Sequence, residues 1–505
     1  MSFERLLSDD ELELLATPLS ITLERAAEGK DASQLPWLIE QLDAECLAIY
    51  DAYVSWIGVL QRFIIANGDE ADHDRALGWA AEYAIRPFVQ AFAGTTVRER
   101  VERIAERLRA SGSTFEVIET ADRVRFSCEV WGPVRWWREP EEWQKTAARK
   151  REGQRYYYPS YGYFGKSFPA MPVLSGARPL LRGRDSLPSV LATEVQFLES
   201  IPIELFGAPL AVIGLGESPT DVVTLDVYKD SANVPEAAYS AVSLARPTGP
   251  SGLSDDLTEQ IFTDDELVQL AIPLTLQLEQ AADRSDWVAM RALTERMDEE
   301  LVGAKDSLGV MIAALLSWIA RRHGEAAAEV ALEETAAVVM APYVDHVRNL
   351  GPAESIRAWA VAWRSHGSTF WIEEHEETFI FRGQPLGACA RMWATAYQPT
   401  VERISDSRVR YPTFGSFNPP ASFHIMREPR AVTHGEIGHP IYSCHCVMLH
   451  EIYPIEQLGY PLWVETHPID DRDGETVHLH YKDPSAWPER YYEAVGKSKP
   501  TATPA

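Results

Sequence analysis

The stretch Gly112-Ser113-Thr114-Phe115 returns 255 positions later as Gly367-Ser368-Thr369-Phe370. The same shift relates residues 8–12, which read Ser-Asp-Asp-Glu-Leu, to residues 263–267, which read Thr-Asp-Asp-Glu-Leu. Further matches lie downstream, at residues 158–162 and 411–415 and at residues 228–230 and 481–483. A period this long indicates two whole domains of one fold, because solenoid repeats are far shorter. The sequence therefore predicts a tandem duplication of one domain, arranged as a pseudo-twofold dimer within the chain.

The predicted domain boundaries follow from this repeat. The first repeat covers residues 1–230 and the second covers residues 259–495. A linker rich in Ser, Pro, Ala and Gly joins them over residues 231–258, and residues 496–505 form a predicted disordered tail. The first repeat is poor in histidine and cysteine, so we expect it to act as a scaffold. The second repeat is the candidate active domain.

Composition limits the classes of function. The 505 residues carry a formal net charge of -28, which repels phosphate backbones and anionic membrane surfaces, so neither nucleic acid nor a membrane is an expected partner. Residues 1–5 lack the basic and apolar regions of a signal peptide. Five cysteines are too few for a disulfide scaffold in a chain of this length. We therefore expect a cytoplasmic protein with reduced thiols, a small-molecule substrate and the capacity to form a homo-oligomer.

Apolar periodicity predicts the helices of each repeat. The first begins behind Ser8, a candidate N-cap with Glu11 three residues later, and the second repeat keeps this pair as Thr263 and Glu266. Further predicted helices share the 3.6-residue period and cover residues 34–66, 71–92 and 97–110 in the first repeat and residues 287–322, 325–348 and 353–365 in the second.

After these helices the apolar period changes to two. Residues 115–119 and 123–126 alternate in the manner of a β-hairpin, as do residues 370–374 and 378–381. An aromatic loop follows, and then a helix that begins at Pro188 in the first repeat and at Pro440 in the second. Two short strands end each repeat; they are predicted at residues 210–213 and 222–227 and at residues 462–465 and 476–481. The prediction is an α+β fold.

Histidine is distributed unevenly between the repeats. Of the thirteen histidines, His73 lies in the first half and the other twelve lie from His323 onward. On the helix predicted from Pro440, Cys446 and His450 are four residues apart and share one face. On the last predicted strand His478 and His480 are separated by one residue and face the same side.

The first repeat offers an internal comparison for these positions. In register, the residues Cys446, His450, His478 and His480 correspond to Glu194, Leu198, Leu225 and Val227. A fold that is common to both repeats therefore does not need the thiol or the imidazoles. The comparison indicates that the second repeat is equipped for chemistry.

Three interpretations of this cluster are open. In the first, it binds a divalent transition metal, with zinc as the first choice and iron as the second, which activates water for hydrolysis. The candidate ligands are His439, Cys444, Cys446, His450, His478 and His480. In the second, the thiol of Cys444 or Cys446 attacks, with its pKa lowered by the helix N-terminus and with His450 or His445 as general base. In the third, the histidines and thiols are structural.

Three residues outside the cluster are further candidates. Glu374 is a candidate general base, although its counterpart Glu119 in the histidine-poor repeat favours a structural role. Arg391 and Tyr411 are candidates for substrate binding, because an arginine can bind a carboxylate and Tyr411 begins the aromatic loop.

The end of each repeat carries a looser pattern. Within residues 442–483, a cysteine-containing helix is followed by Leu458-Gly459-Tyr460-Pro461 and by a strand that ends in Tyr481-Lys482-Asp483. This order resembles a group of bacterial proteins related to L-2-amino-thiazoline-4-carboxylic acid hydrolases, and it is similar to the vinyl-reductase-type small-molecule-binding domain. The resemblance covers the last third of each repeat. Members usually carry a cysteine near the final strand, where this chain has His478 and His480.

The resemblance implies a compact α+β domain that hydrolyses a C–N or C–S bond in a small polar molecule. Together with the cluster, it predicts a metal- or thiol-dependent hydrolase whose site lies in the second repeat. The alternative function is a non-catalytic sensor module that binds a small molecule or a metal.

Overall fold

A computed structural model describes most of the chain. The described residues are 5–29, 33–132, 173–175, 186–216, 222–383, 391–392, 397–398, 402–406, 408–410, 413–414, 423–466 and 476–500. They combine helices with small antiparallel sheets, so the predicted α+β class is confirmed.

The described residues divide into two compact units. The first unit draws on the segments Met1–Leu60 and Leu278–Ala505, and the second on Gln61–Thr146 and Ala170–Gln277. Each unit therefore contains residues from both halves of the sequence. These ranges differ from the predicted domains, whose boundaries stay a prediction.

The first unit is mainly helical. Its helices are Asp9–Ala16, Leu19–Glu28, Trp287–His323, Glu325–Val339, Ala341–Val347, Pro352–Ser365, Cys444–Val447, Tyr453–Leu458 and Glu489–Ala494, with most of Leu35–Asn67 and Leu274–Asp283. Its four-stranded antiparallel sheet, called here the second sheet, has the order Phe370–Glu374, Thr378–Gly383, Thr476–Tyr481, Val464–Thr466. This unit also contains two separate strand pairs, Tyr397–Gln398 with Thr413–Phe414 and Glu402–Ser405 with Arg408–Arg410.

The second unit has a sheet of the same order. Its helices are Glu70–Ala84, Arg86–Gln90, Val97–Ala110, Ser189–Val195, Ile201–Phe206, Glu236–Ala241 and Asp264–Ala271. The first sheet runs Thr114–Glu119, Arg123–Val130, Val223–Tyr228, Val212–Gly214, and all its neighbours are antiparallel. A strand pair, Val173–Ser175 with Ser186–Pro188, lies apart from it.

Prolines shorten two of the predicted helices. The helix predicted over residues 71–92 ends at Ala84, and a new one begins at Arg86 because Pro87 occupies the first turn. The helix predicted over residues 325–348 divides in the same way at Met340, where Pro342 follows. A residue without an N–H is tolerated in a first turn but not inside a helix.

The N-terminal helix packs against the second sheet. The predicted capping box of Ser8 and Glu11 is present, and the helix Asp9–Ala16 contacts the strand Phe370–Glu374. The buried Glu374 accepts hydrogen bonds from the backbone N–H of Leu6 at 2.7 Å and of Leu7 at 3.0 Å. Its Oε1 also lies 2.7 Å from Lys482 Nζ. A carboxylate from the second half therefore anchors the start of the first half.

The second unit contains the reciprocal arrangement. The buried Glu119 accepts hydrogen bonds from the N–H of Ile261 at 2.6 Å and of Phe262 at 2.9 Å, and it pairs with Lys229 at 2.6 Å. These residues precede the capped helix Asp264–Ala271, which contacts the strand Thr114–Glu119. In each unit, the leading helix of one half thus packs on the sheet of the other half.

Two segments predicted to be irregular are ordered. Residues 231–258, the predicted linker, contain the helix Glu236–Ala241, with Tyr239 and Leu253 buried. Residues 496–500 of the predicted tail are held by Lys499 Nζ, which donates to the carbonyls of Ser485 and Trp487. Residues 501–505 lie outside the described residues.

Among the described residues, one helix is long and apolar enough to cross a membrane. This is Trp287–His323, whose most apolar window is 78% buried inside the protein. It contacts the helices Leu19–Glu28 and Glu325–Val339. That burial is typical of a core helix, which passes the same test of length and composition.

Candidate functional site

The helical segment that carries the thiols begins later than predicted. Its helix starts at Cys444 instead of Pro440, because the preceding residues pair with residues 424–426. Ile441 N donates to His424 O, and an isolated bridge joins Ile425 to Pro440. His439 therefore lies on an extended segment before the helix, and it does not share a helix face with Cys446.

A π-helical turn, Met448–Ile452, interrupts this segment and contains His450. Its cause is readable in the sequence: Pro454 has no N–H to donate to the His450 carbonyl, which an α-helix would require. That carbonyl instead accepts a hydrogen bond from Leu462 N at 2.9 Å. The bond ties His450 to the segment that leads into the strand Val464–Thr466.

The first half has the same irregularity. The π-helical turn Gln196–Ser200 is followed by Pro202, and Leu210 N donates to the Leu198 carbonyl at 2.9 Å. The turn is therefore part of the local fold in both halves. The imidazole of His450 stands where the first half has the Leu198 side chain.

Cys446 and His445 form the closest thiol–imidazole contact among the described residues. Cys446 Sγ lies 3.5 Å from His445 Nε2, and both residues are buried. His445 Nδ1 is hydrogen-bonded to the carbonyl oxygen of Tyr442. A carbonyl only accepts, so Nδ1 carries the proton and Nε2 is left to accept the thiol proton. This is a nucleophile–base pair with a third group that orients the base.

The second thiol is in a different state. Cys444 Sγ donates to the carbonyl of Pro440 at 3.7 Å. Burial raises the pKa of the Cys444 thiol well above its ordinary value, and the charges of Glu325 and Glu329 raise it further. Cys444 is therefore held as a protonated thiol, whereas Cys446 has an imidazole acceptor. The structure thus separates Cys446 from Cys444, the two cysteines that the thiol interpretation named.

Two further histidines and three tryptophans lie near the pair in the first unit. The His450 ring lies 6.5 Å from the His445 ring and 3.8 Å from the Trp463 ring. The His478 ring lies 4.7 Å from Trp363, and Trp359 packs edge-on against Trp463. The sequence comparison found these histidines but not the tryptophans, which have the same apolar periodicity as any core residue.

The imidazole of His450 is neutral, and one of its two ring nitrogens lacks a hydrogen bond to any described residue. Burial lowers its pKa well below the ordinary value, and the nearby His445 and His478 lower it further. Its Nδ1 is buried and has no hydrogen-bond partner among the described residues. A buried polar atom without a partner is uncommon in native proteins and calls for an explanation.

A buried carboxylate that the sequence comparison missed lies next to His450. Glu451 Oε2 lies 3.0 Å from His434 Nε2, and its Oε1 accepts a hydrogen bond from Glu465 N at 3.3 Å. Burial raises the pKa of Glu451, although His434 opposes the shift. The comparison of halves overlooked Glu451 because its counterpart, Glu199, is also glutamate. Only its partner His434 differs.

The last strand places its two histidines as predicted. His478 and His480 both lie on the buried face of the strand Thr476–Tyr481. His478 Nε2 lies 3.4 Å from Glu465 Oε1. His480 Nδ1 donates to the Leu462 carbonyl at 2.6 Å, and burial lowers the pKa of His480 to about 4 although that bond opposes the shift. His480 therefore helps to hold the backbone near the site.

The other predicted site residues are placed elsewhere. Burial alone would raise the pKa of Glu374, but the bonds from Leu6, Lys482 and Leu7 outweigh it and lower the pKa. Both oxygens of Glu374 thus serve to anchor the N-terminal segment. Arg391 is fully buried, with Nε 3.1 Å and Nη2 2.5 Å from the two oxygens of Asp306. Its guanidinium is occupied by that carboxylate.

Two further predictions concern Tyr411 and the metal. Tyr411 lies outside the described residues. Within the part of the chain that the structure describes, no three His, Cys, Asp or Glu side chains are placed to hold a metal ion. The thiol of Cys444 is bonded to Pro440 O, and the Nδ1 of His480 donates to Leu462 O, which leaves His480 Nε2 as its ligand atom, so the metal site stays a prediction.

Comparison with known proteins does not identify a family for this chain. No family model, curated protein or solved structure gave a significant match to the chain. The functional argument therefore rests on the residues of the first unit.

Proposed function

We propose that this chain is a thiol-dependent hydrolase that cleaves a C–N or C–S bond in a small polar molecule. Cys446 is the nucleophile and His445 is the general base. The observation that carries the proposal is the 3.5 Å contact between Cys446 Sγ and His445 Nε2, with His445 Nδ1 fixed on the Tyr442 carbonyl. Both residues are absent from the first half, which has Thr193 and Glu194 at these positions.

The proposed chemistry balances without a cofactor. His445 Nε2 takes the thiol proton as Cys446 Sγ bonds to the electrophilic carbon, and it returns that proton to the nitrogen or sulfur that leaves. His445 then takes a proton from water as the hydroxide attacks the thioester-like intermediate. The S–C bond breaks, and the thiol is restored when Sγ takes that proton back.

We further propose that the two halves arose by tandem duplication. Support comes from the shared strand order of the first and second sheets and from the π-helical turns followed by Pro202 and Pro454. In the first half, Glu194 forms an ion pair with Arg107 at 2.7 Å instead of a catalytic contact. The first half would then supply structure, and the second half the thiol.

A non-catalytic binding module remains the second candidate function. The observation that favours it is burial, because only 6% of Cys446 and 7% of His445 is exposed. A nucleophile must be reached by its substrate, whereas a buried site for a small ligand need not be reactive. Reactivity of the thiol therefore discriminates between the two functions.

The test is alkylation of the full chain with iodoacetamide at pH 7, read by peptide mapping. We expect Cys446 to react at least about tenfold faster than in His445→Thr, which carries the residue of the first half, since one pKa unit is a factor of ten in thiolate. Cys444 and Cys128 are internal controls, because burial raises the pKa of both thiols. If Cys446 reacts no faster than Cys444, it is not an activated nucleophile.

Activity and metal content complete the test. Wild type should hydrolyse 2-amino-thiazoline-4-carboxylate or simple amides, and Cys446→Ser should not. Stoichiometric zinc or iron in the purified protein, lost in both Cys446→Ala and His450→Ala, would instead support a metal-dependent hydrolase. We place this chemistry in the reducing cytoplasm, where the thiols of Cys128, Cys444 and Cys446 stay free.

A further inference from the structure

The thiol–imidazole pair is contacted by a helix from the other half of the sequence. The helix Leu35–Asn67 presents Tyr53 and Trp56, one turn apart, to the histidines. The Trp56 ring lies 4.8 Å from the His445 ring, edge to face, and the Tyr53 ring lies 5.9 Å from the His366 ring. Both aromatic residues belong to the same compact unit as His445.

Trp56 and Tyr442 enclose the His445 ring. Trp56 stacks on Tyr442 with 15° between the rings, and the Tyr442 ring lies 4.6 Å from the His445 ring. Trp56 is 2% exposed, so this wall is rigidly packed. The Tyr442 carbonyl fixes one nitrogen of the imidazole, but a single hydrogen bond still permits the ring to turn about it. The Trp56 and Tyr442 rings pack against the imidazole and oppose that rotation.

Trp56 has no aromatic equivalent in the other half. At the shift of 255, Trp56 corresponds to Met311 and Tyr53 to Leu308. Tyr53 and Trp56 therefore belong to the first half, whereas the histidines that they contact belong to the second half. The exchange of leading segments between the halves is what brings the two into one unit.

We propose that Trp56 is a positioning residue for His445, so that the candidate site is completed by the first half of the sequence. This inference rests on the proposed thiol chemistry. Trp56 does not touch the reacting atoms; it holds the imidazole with Nε2 directed at Cys446 Sγ. The site of the second half is incomplete without the helix Leu35–Asn67.

The experiment measures the rate of Cys446 alkylation by iodoacetamide across pH in the full chain. Trp56→Met introduces the side chain found at position 311, and we expect a rate about tenfold lower at pH 7 with a profile displaced to higher pH. Trp56→Phe keeps an aromatic wall of smaller area and should lie between Trp56→Met and wild type. Trp79→Phe, in the second unit, is the matched control and should follow the wild-type profile.

The outcomes separate this inference from the proposal on which it rests. If wild type reacts faster than His445→Thr but both Trp56 variants superimpose on wild type, the positioning role is wrong and the thiol chemistry stands. If wild type and His445→Thr react alike, the thiol chemistry is wrong and the positioning role falls with it. Since Trp56→Phe removes the least volume, it decides the question even where Trp56→Met does not fold.

Discussion

The unpaired nitrogen of His450 has a thermodynamic consequence. A buried donor or acceptor without a partner costs about 1–3 kcal/mol, so a side chain that removes it should stabilise the fold. We expect His450→Leu, which installs the residue found at Leu198, to raise the midpoint of thermal unfolding by about 2 °C. Calorimetry of the full chain measures it.

His480→Val is the matched control for that substitution. It also installs the residue of the first half, found at Val227, but it leaves the Leu462 carbonyl without the His480 donor. We expect its midpoint to fall. A lower midpoint for His450→Leu would contradict this prediction and show that the imidazole stabilises the fold.

His434 gives the first unit a pH dependence. Its backbone is in the left-handed region at φ 52°, and this conformation directs the ring to the buried Glu451. Burial alone would lower the pKa of His434, but Glu451, Glu465 and Glu436 outweigh it and raise the pKa. A raised histidine pKa stabilises the fold below the unfolded value of about 6.5, and this stability is lost as the pH rises through the folded pKa.

The temperature at the midpoint of unfolding should therefore decrease as the pH rises above about 6.5. Because asparagine tolerates a left-handed backbone, His434→Asn removes the charge with little strain, and it should flatten this dependence. His375→Asn, at an exposed histidine paired with Glu373, should leave it unchanged. Identical curves for wild type and His434→Asn would contradict the prediction.

At the scale of the element, the π-helical turn is set by one proline. Pro454→Ala restores an N–H that can donate to the His450 carbonyl in competition with Leu462 N. We expect the amide of Leu462 to exchange its hydrogen about tenfold faster in this variant, since its acceptor is shared. Hydrogen exchange with residue resolution measures it, and Pro202→Ala should affect only the amide of Leu210. Unchanged exchange at Leu462 would mean that the turn has another cause.

The elements were largely predictable, and the site was not. Capping boxes at Ser8 and Thr263 and the change of period after Gly112 and Gly367 placed helices and hairpins, because these signals are local. The late start at Cys444 was missed because it depends on pairing with residues 424–426, which lie outside the helical segment and carry no helix signal of their own.

The site was missed in part for a similar reason. A comparison of halves finds residues that differ, such as His450, and passes over Glu451, which is the same residue in both. Trp56 could not be assigned to the site from the sequence. It lies far from His445 along the chain, and nothing in the sequence shows that the leading segment of the first half packs in the same unit as His445. The sequence repeat is the same whether the leading helix of each half packs on the sheet of that half or on the sheet of the other half.

For the whole molecule, the two anchoring carboxylates allow each unit to be destabilised separately. Glu374 and Glu119 each hold a lysine and two backbone N–H groups in a separate unit. Glu374→Gln removes the charged acceptor of Lys482 and of the two N–H groups, and it should destabilise the first unit by about 3 kcal/mol. Glu119→Gln should do the same to the second unit through Lys229.

Calorimetry should resolve these effects as two different transitions. Deletion of residues 1–7 removes the N–H donors of Leu6 and Leu7 and should lower the transition that Glu374→Gln lowers. If the deletion instead lowers the transition sensitive to Glu119→Gln, the leading helix packs on the sheet of its own half, and the exchange described above is wrong.

The exchange also dictates an order of events on the ribosome. The segments of the second unit end at Gln277, so that unit can close while the chain is still being made. The first unit combines the N-terminal segment with strands that end at Tyr481, and at 5–20 residues per second these strands emerge on the order of half a minute later. Until then the helix Leu35–Asn67 lacks the histidines against which its Tyr53 and Trp56 rings pack. The candidate site can therefore form only after Tyr481 has emerged, long after the helix that contributes Trp56 has been made.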